Sequence, residues 1–490
     1  MTHVRPYLCG LTTSLLVLLA LGSMPPSALG QANVKGQWQT LPNLMPINPV
    51  HAALMRNGKV LVVSGSGNVA NNPNFQAGIF DPQTGTVSTQ AVSWDMFCNG
   101  MVVLPDGRVF INGGTLQYDP FHGELRTSAY DPGTGLFTDL QSMAHGRWYP
   151  TVTVLGDGTV MTFSGLRETG GTSTTVEIYT VGAGWSQEFG AGWTPPLYPR
   201  MHLLPDGTVF YSGSGTGSRK FNPATRTWTG VIASTNYSGT RTYGTSVLLP
   251  LTPSSNYKPR VMIFGGGSPA TATTEIIDLS AGTPAWQTGP AMTQARIEMS
   301  ATILPNGKVL AIGGSVNDED TATASLNADL YDPTANAFGS AGQNAFARLY
   351  HSVSLLLPDA TVWFAGGNPS RGSYEQRMEI YSPSYLFNAS GGAATRPTIT
   401  SVPATAGYGA AFQIQTPDAA SISSIALVRP GSPTHAFDQD QRMVNLSFTA
   451  GSGVLNATAP PNGNIVPPGY YMLFILNSSG VPSVAKFVQI

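Results

Sequence analysis

The sequence predicts an all-β protein, in which a seven-bladed kelch-type β-propeller is followed by a small immunoglobulin-like β-sandwich. A unit made of a tight turn, an apolar strand and a glycine-rich stop recurs seven times, at a spacing of roughly 50 residues, which is the kelch period of a propeller. Glycine (56) and proline (38) are abundant, whereas charged residues make up only 10% of the chain, a balance typical of many short strands joined by turns. The repeat stops near residue 394, and short alternating strands with proline- and glycine-rich turns follow it.

Each repeat has the chemistry of a hairpin that enters a crowded ring axis. In the copy at 104–114, Asp106-Gly107 forms the turn and Gly113-Gly114 ends the strand. The turn glycine supplies the positive φ that tight hairpins require, and paired glycines fit where inner strands crowd together. Because a four-stranded blade cannot bury both of its faces alone, blades stack radially until the ring closes. The seven copies begin at Asn57, Leu104, Leu155, Leu204, Lys258, Leu304 and Leu357.

Three segments are predicted: a signal peptide at 1–30, the propeller at 31–393 and the sandwich at 394–490. The first segment combines Arg5, an apolar stretch from Leu11 to Leu21 and a small-residue end. This stretch is too short for a membrane anchor, so we expect a secreted protein, or a periplasmic one in a Gram-negative cell. A net charge of -2 favours neither nucleic acid nor a membrane surface as a partner, and we expect a monomer.

Cysteine usage is unusual for an exported chain. Cys9 lies in the predicted signal, so the mature protein keeps Cys98 as its single cysteine. Secreted proteins usually pair their cysteines, and a leftover thiol is a candidate for reactivity. The alternative is a buried, inert thiol that packs as a small hydrophobe.

Three segments differ from generic blade loops, and each lies just before an inner-strand repeat. They are Trp94 to Cys98, Arg147 to Pro150 and Arg348 to His351. Segments at equivalent blade positions converge on one face of a ring, so we expect a thiol, two phenols and an imidazole to meet there. A second imidazole, His435, lies in a loop of the predicted sandwich and reaches the same face if that loop inserts toward the axis.

Over the whole mature chain, these segments resemble the copper-radical oxidases, the family of galactose oxidase and glyoxal oxidase. The matching pieces are Asp95-Met96-Phe97-Cys98, Arg147-x-Tyr149, the run from Tyr350 to Asp359, Thr434-His435 with Asp440-Gln441-Arg442, and the C-terminal runs from Pro468 to Phe474 and from Gly480 to Val484. Each piece is short, but their common order over most of the chain makes the combination specific.

The resemblance implies a mononuclear copper site with one copper per chain. Cys98 would be joined to Tyr149 by a thioether, and Tyr149 would ligate copper and hold a protein radical. His351 and His435 would be the imidazole ligands. Tyr350 would be the axial phenolate and would accept the proton of the substrate hydroxyl.

This assignment is chemically coherent. Imidazole and phenolate oxygen suit Cu(II) rather than zinc when they form a tetragonal set. Alcohol oxidation removes two electrons whereas the Cu(II)/Cu(I) couple accepts one, so a second redox group is needed. A thioether-substituted phenol is easier to oxidise than tyrosine, which would give Cys98, the single exported cysteine, a function.

Two further residues concern the substrate. Trp148 directly precedes Tyr149, an arrangement that resembles glyoxal oxidase more than galactose oxidase, although core packing is an alternative role. Arg200 stands near the place of the family's substrate arginine in a loose alignment. We therefore expect a small aldehyde hydrate such as glyoxal or methylglyoxal, or a primary alcohol, with O2 as the acceptor, rather than a hexose.

Two other classes of function stay open at this point. One is a non-catalytic kelch propeller that binds carbohydrate or acts in adhesion, which has no need of the full ligand set. The other is a hydrolase or lyase, which requires paired carboxylates in a chain poor in charge; the acidic cluster at 318–320 is expected to be a solvated loop. Of the remaining histidines, His51, His122, His145 and His202, we expect His145 to lie behind the site because it is close to Tyr149 in sequence.

Overall fold

The computed structural model describes residues 31–490, and the predicted signal peptide at 1–30 lies outside them. The described chain is almost entirely β, which confirms the all-β prediction. Its helices are one α-helical turn, Ala32–Lys35, and four 3-10 turns, Pro253–Ser255, Thr321–Thr323, Ser384–Leu386 and Ala419–Ser421. No helix between residues 31 and 490 has the length and apolar character needed to cross a membrane.

Seven antiparallel sheets lie along residues 37–382, and each is built around four strands. The first strand of the chain is β1 (Gln37–Leu44). The first sheet contains β2 (His51–Leu54), β3 (Val60–Gly65), β4 (Gln76–Asp81) and β5 (Thr86–Ala91), and the second contains β6 (Gly100–Val103), β7 (Val109–Asn112), β10 (Thr127–Asp131) and β11 (Leu136–Leu140), with a separate hairpin of β8 (Thr115–Gln117) and β9 (His122–Gly123) between β7 and β10. The third contains β12 (Thr151–Val154), β13 (Val160–Phe163), β14 (Thr175–Thr180), β15 (Gly184–Trp185) and β16 (Phe189–Gly190), and the fourth contains β17 (Met201–Leu203), β18 (Val209–Tyr211), β19 (Gly217–Asn222), β20 (Thr227–Trp228) and β21 (Ala233–Ser234).

The remaining three of these sheets follow in the same manner. Their strands are β22 (Thr245–Leu248), β23 (Arg260–Phe264), β24 (Thr274–Asp278) and β25 (Trp286–Thr288); β26 (Ser300–Ile303), β27 (Val309–Ile312), β28 (Asn327–Asp332) and β29 (Ala337–Gln343); and β30 (Ser352–Leu356), β31 (Val362–Gly366) and β32 (Arg377–Ser382).

The sheets form a ring of contacts around their first strands. Inner strands that are neighbours in sequence pack together, and β30 contacts β2. Between β17 and β22, the His202 imidazole and the Ser246 hydroxyl are 2.8 Å apart. The last sheet takes its outer strand from the start of the chain, because β1 pairs with β32 and places Trp38 opposite Tyr381. A propeller-like arrangement therefore precedes the C-terminal domain.

The C-terminal part forms one six-stranded antiparallel sheet in the order β33, β38, β37, β34, β39, β40. Its strands, with a hairpin that leaves the sheet, are β33 (Ala411–Gln415), β34 (Ile422–Arg429), the hairpin β35 (Pro433–Thr434) and β36 (Phe437–Asp438), β37 (Arg442–Gly451), β38 (Val454–Thr458), β39 (Tyr470–Asn477) and β40 (Lys486–Gln489). The first half of β37 pairs with β34 and its second half with β38. Ile414, Leu427, Leu455 and Leu473 meet in one buried cluster, as in a β-sandwich.

An arginine clamp repeats in four of the seven sheets. Each arginine precedes an inner strand, and its carboxylate partner lies in the third strand of the same sheet. The pairs are Arg147–Glu177 (2.9 Å), Arg241–Glu275 (2.8 Å), Arg296–Asp329 (2.5 Å) and Arg348–Glu379 (2.8 Å), all buried. Each guanidinium also donates to a carbonyl at the end of the second strand, namely those of Ser164, Gly265, Gly313 and Gly366. The clamps thus fix the loops that enter the ring axis.

The C-terminal domain binds one end of the ring through hydrogen bonds to its inner strands. The Asp440 carboxylate accepts from Val103 N at 2.7 Å, and the Gln439 side-chain oxygen accepts from Val152 N at 3.0 Å. Gln441 accepts from the amide of Ile303, and Arg442 donates to the carbonyl of Leu203. The stretch 439–442 therefore satisfies backbone groups of four inner strands, β6, β12, β17 and β26. The hairpin β35–β36 directly precedes this stretch and adds to the edge of β2.

Candidate metal centre

In six successive sheets, one residue just before the inner strand has a left-handed backbone conformation. These residues are Cys98 (φ 62°), Tyr149 (φ 66°), Tyr198 (φ 43°), Tyr243 (φ 53°), Glu298 (φ 60°) and His351 (φ 62°). Side-chain-bearing residues rarely adopt this conformation, which costs about 1–3 kcal/mol and tends to cluster at functional sites. Three of the residues follow a clamp arginine by two positions, as Tyr149 follows Arg147. The fold therefore holds these side chains toward the axis against local backbone preference.

Four aromatic rings from two sheets and the hairpin surround one point. The hydroxyls of Tyr149 and Tyr350 are 2.5 Å apart. The ring of His435 lies 4.5 Å from the rings of both Tyr149 and His351, centre to centre. The rings of Tyr350 and His351 are 4.1 Å apart. All four side chains belong to the set singled out by the sequence, and the structure brings them together.

The hydrogen bonds of the two imidazoles place the proton of each ring on Nδ1, so each Nε2 keeps its lone pair. His351 Nδ1 lies 2.7 Å from the Asn368 side-chain oxygen, an acceptor, so the ring proton belongs on Nδ1. His351 Nε2 is buried and has no hydrogen-bond partner. The Thr434 hydroxyl donates to the Val50 carbonyl and therefore accepts from His435 Nδ1, at 2.5 Å. Both Nε2 atoms are then lone-pair donors, with tautomers assigned from the bonding pattern.

Burial keeps both imidazoles neutral. It lowers the pKa of His351 to about 4 and the pKa of His435 well below its ordinary value. A neutral imidazole is the form that ligates metals. Near pH 7 neither ring has to lose a proton before it can ligate.

Cys98 lies at the same point. Its Sγ is 3.4 Å from His435 Nε2, and the thiol is within hydrogen-bonding range of the Tyr149 side chain. Sγ and one nitrogen each of His351 and His435 lie within 4.8 Å of one another. Burial raises the pKa of Cys98 well above its ordinary value, which favours the neutral thiol. The neutral form is a poor ligand, although two histidines and a cysteine also form a known copper set.

The residues fit a copper ion. Two imidazole nitrogens, two phenol oxygens and a sulfur converge, and the borderline nitrogens and soft sulfur make this set suit copper better than magnesium or calcium, which prefer all-oxygen sites. The unpartnered, buried Nε2 of His351 is the specific observation, because buried polar atoms without partners are rare in folded proteins. Asn368 and Thr434 orient the imidazoles from behind, as outer-shell partners of metal ligands do.

Trp148 stacks on Tyr149, with ring centres 3.7 Å apart and planes inclined by 16°. Its other face stacks on Phe121 at 4.2 Å. The second face of Tyr149 is covered by Tyr198, at 4.6 Å. The phenol of Tyr149 is thus enclosed between two aromatic rings, which limits its contact with water.

A cavity of about 290 Å³ opens beside this cluster. Tyr149, His435, Tyr243 and Arg200 are among its lining residues. The Arg200 side chain is buried and donates to the Arg241 carbonyl at 2.8 Å, but its NH1 has no hydrogen-bond partner. Burial lowers the pKa of Arg200 to about 10, so the guanidinium keeps its charge at neutral pH. No ion pair joins Arg200 to a carboxylate among the residues the structure describes.

The prediction for His145 is wrong. Its two ring nitrogens face Glu168 at 2.9 Å and Glu188 at 3.2 Å, in a partly exposed group away from the four rings. His51 is the histidine behind the site: it is buried, lies opposite Thr434 in the β2–β35 pair, and its charge would lower the pKa of His435.

Sequence reasoning missed Tyr198, Tyr243, Glu298 and Asn368. The first three share a signal that the sequence carries, since each precedes an inner strand at the position held by Tyr149. Asn368 carries no such signal. Its contact with His351 follows from the return of the chain after β31, which is a property of the fold.

Comparison with known proteins gives matches along nearly the whole described chain. Residues 74–385 match the family model described as glyoxal oxidase N-terminus, and residues 396–490 match the one described as galactose oxidase-like, Early set domain. A galactose oxidase of Gibberella zeae is 29% identical, with 93% of this chain and 70% of that protein covered. An aldehyde oxidase GLOX of Vitis pseudoreticulata is 28% identical, with 94% of this chain and 98% of that protein covered.

The fold also matches a solved structure. It is described as a novel fungal alcohol oxidase with catalytic diversity among the AA5 family, in complex with copper. The TM-score is 0.82 and the identity 24%, over 93% of this chain and 99% of that one. At this identity the match supports the shared architecture, a propeller followed by a sandwich, and carries no argument about individual residues.

Proposed function

The chain belongs to the glyoxal oxidase family of copper-dependent oxidases, and we propose that it is a secreted copper-radical oxidase of small aldehyde hydrates or primary alcohols. O2 would be the electron acceptor and H2O2 the second product. The convergence of two neutral imidazoles, two phenols and one thiol at a single buried point is the observation that carries the proposal. The alternative of a non-catalytic propeller gives no account of that convergence.

We propose the same organisation for the mature protein as the sequence predicts. The seven sheets would be the seven blades of one ring within 31–393, and residues 394–490 would form the immunoglobulin-like sandwich. The signal at 1–30 would direct export, and the enzyme would act as a monomer.

In this proposal, His351 and His435 hold the copper through Nε2, and Tyr149 and Tyr350 supply phenolate oxygens. Bound copper would contribute a one-electron acceptor and a position for the substrate oxygen. When copper is bound, the Cys98 S–H and one ring C–H of Tyr149 would be replaced by a thioether bond, and O2 would take up the two electrons and two protons released. The thioether makes that phenol the second one-electron acceptor. The high pKa of the buried thiol favours this role over that of a thiolate ligand.

Tyr350 is the proposed base. Its hydroxyl lies 2.5 Å from that of Tyr149, so a substrate oxygen held beside Tyr149 is within reach of it. Each turnover removes two electrons and two protons from the substrate, and O2 takes up both pairs to become H2O2. The rings of Trp148 and Tyr198 exclude water from the oxidised phenol during this cycle.

The cavity supports a small substrate with two oxygen-bearing carbons. A volume of about 290 Å³ is at the low end for a ligand pocket. Arg200 lines this cavity, and its buried NH1 has no hydrogen-bond partner in the protein. We propose that a substrate oxygen accepts from this guanidinium, since a buried donor without a partner favours such a ligand. Glyoxal and methylglyoxal place a second oxygen next to the reacting carbon, whereas a simple alcohol leaves Arg200 unpaired.

The test is copper loading followed by a peroxide assay on a panel of glyoxal, methylglyoxal, primary alcohols and galactose. We expect one copper per chain and peroxide first from the dicarbonyls. His435→Ala should lose copper, and the matched control His145→Ala should keep it. Protein that binds copper and forms the oxidised tyrosine but yields no peroxide from any panel member would refute the oxidase proposal.

A further inference from the structure

We propose that Tyr118, which is partly buried and lines a surface cleft, is the entry point for the one-electron oxidation that generates the Tyr149 radical, and that Phe121 and Trp148 connect the two tyrosines. This inference rests on the proposed function, because it concerns how the buried phenol reaches its oxidised state. Tyr149 is stacked between two aromatic rings, and it also lines the cavity proposed for the substrate. A route through the stacked rings would let an oxidant act on Tyr149 without entering that cavity.

A continuous column of rings leads outward from Tyr149. Its ring stacks on Trp148 at 3.7 Å, and Trp148 stacks on Phe121 at 4.2 Å with planes inclined by 14°. The ring of Phe121 is followed by that of Tyr118 at 5.1 Å. Rings at these separations are in van der Waals contact. Tryptophan and tyrosine are the two side chains of the column that can be oxidised, and they stand on either side of one phenylalanine.

The outer tyrosine has a proton acceptor. Its hydroxyl donates to the Asp95 carboxylate at 3.2 Å. The other carboxylate oxygen of Asp95 accepts from the amides of Ser66 at 2.7 Å and Phe97 at 3.0 Å, so the group is fixed in place. A phenol loses its proton when it loses an electron, and Asp95 is positioned to receive and return that proton.

The outer end of the column faces a surface cleft of about 430 Å³, and Asp95 and Tyr118 both line it. Arg371 lies over the rings of Tyr118 and Phe121, 5.5 and 5.6 Å from their centres, and pairs with Asp119 at 2.8 Å. The cleft shares no lining residue with the cavity that contains Arg200. The oxidant and the substrate would therefore approach from different places.

The proposed oxidation moves one electron from Tyr149 to the oxidant in two steps. A one-electron oxidant in the cleft takes an electron from Tyr118, whose phenolic proton moves to Asp95. Tyr149, as a phenolate, then gives one electron through Trp148 and across Phe121 to the Tyr118 radical, which recovers its proton from Asp95. In sum, Tyr149 loses one electron, the oxidant gains one, and Tyr118 and Asp95 return to their initial forms.

The test uses the mature, copper-loaded full chain and hexachloroiridate(IV), a one-electron oxidant strong enough to oxidise a tyrosine. The rate of Tyr149 radical formation is followed by absorbance and electron paramagnetic resonance, without substrate. Tyr118→Phe should slow radical formation several-fold, Phe121→Leu should also slow it, and Tyr118→Trp should restore much of the rate because tryptophan can be oxidised. Tyr237→Phe, which alters a half-buried tyrosine of another sheet, is the matched control and should oxidise at the wild-type rate.

The outcomes separate this inference from the proposed function. If wild-type protein forms no radical, the radical mechanism itself fails. If wild type forms the radical and Tyr118→Phe forms it at the same rate, Tyr118 is not the entry point. An equal slowing by Tyr118→Phe and Tyr118→Trp, at unchanged thermal stability, would also overturn the relay, because it would make the phenol's packing rather than its oxidation the cause.

Discussion

Replacing Cys98 by serine should destabilise the copper-treated protein by about 4 kcal/mol if the proposed thioether forms. The bond would close a loop of about fifty residues between Cys98 and Tyr149, and the loop-entropy relation assigns about 4 kcal/mol to a cross-link of that length. Little native strain should offset this value. Both residues are already held together, since the Tyr149 amide donates to the Cys98 carbonyl at 3.1 Å.

The assay is guanidinium unfolding after copper has been removed with a chelator. Wild-type protein that has not been exposed to copper is the matched control, because it has the same side chains without the thioether bond. Treated wild type should exceed it by about 4 kcal/mol, whereas copper treatment should leave Cys98→Ser unchanged. The treated wild-type chain should also be lighter than its sequence mass by two hydrogens. Fully active enzyme with an unmodified Cys98 peptide would refute the radical mechanism.

Three other changes test the site and its scaffold. Trp148→Ala should shorten the lifetime of the Tyr149 radical with copper still bound, since the ring at 3.7 Å is lost, and unchanged decay in electron paramagnetic resonance would make Trp148 a packing residue. Arg147→Met should lower the free energy of unfolding in urea by about 3–5 kcal/mol, because it leaves the buried Glu177 carboxylate without its ion-pair partner. Adding Glu177→Leu should recover most of that loss. Burial raises the pKa of Asp438 to about 6, so between about pH 4 and pH 6 the folded state binds a proton that the unfolded state has lost. The stability of the wild-type protein should therefore fall as pH rises through that window, and Asp438→Asn should flatten this dependence. The shift corresponds to roughly 3 kcal/mol, and an unchanged pH profile of the unfolding midpoint would contradict it.

The fold was predictable because its signals are local. A turn such as Asp106-Gly107 needs positive φ within a few residues, and the structure gives φ of 85° at Gly107. The clamps are a different case. Arg147 precedes β12 and Glu177 lies in β14, so only the pairing of β12 with β13 and of β13 with β14 brings them together. The repeated spacing of an arginine two residues before an axial side chain was nevertheless available in the sequence.

The residues that converge at the site were predictable as a set, but their surroundings were not. Cys98, Tyr149 and His351 occupy equivalent positions in their sheets, so the repeat alone predicts that they meet. His145 shows that a residue close in sequence to a site residue need not lie at the site. It is four residues from Tyr149, yet both of its nitrogens are engaged by carboxylates. The orientation of His435 depends on Val50 through Thr434, a contact between distant segments that no local pattern encodes.

The hairpin that carries His435 links the metal centre to the closure of the ring. Its flanking residues Asp440 and Gln441 hydrogen-bond to the inner strands β6 and β26, which belong to sheets that are not neighbours. These contacts form together only when the ring has closed, and His435 reaches His351 only under the same condition. A ligand that binds the closed form alone stabilises it by mass action. Copper held by both histidines would therefore oppose opening of the ring. The loss of either of these hydrogen bonds to the inner strands would weaken copper binding although no copper ligand is changed.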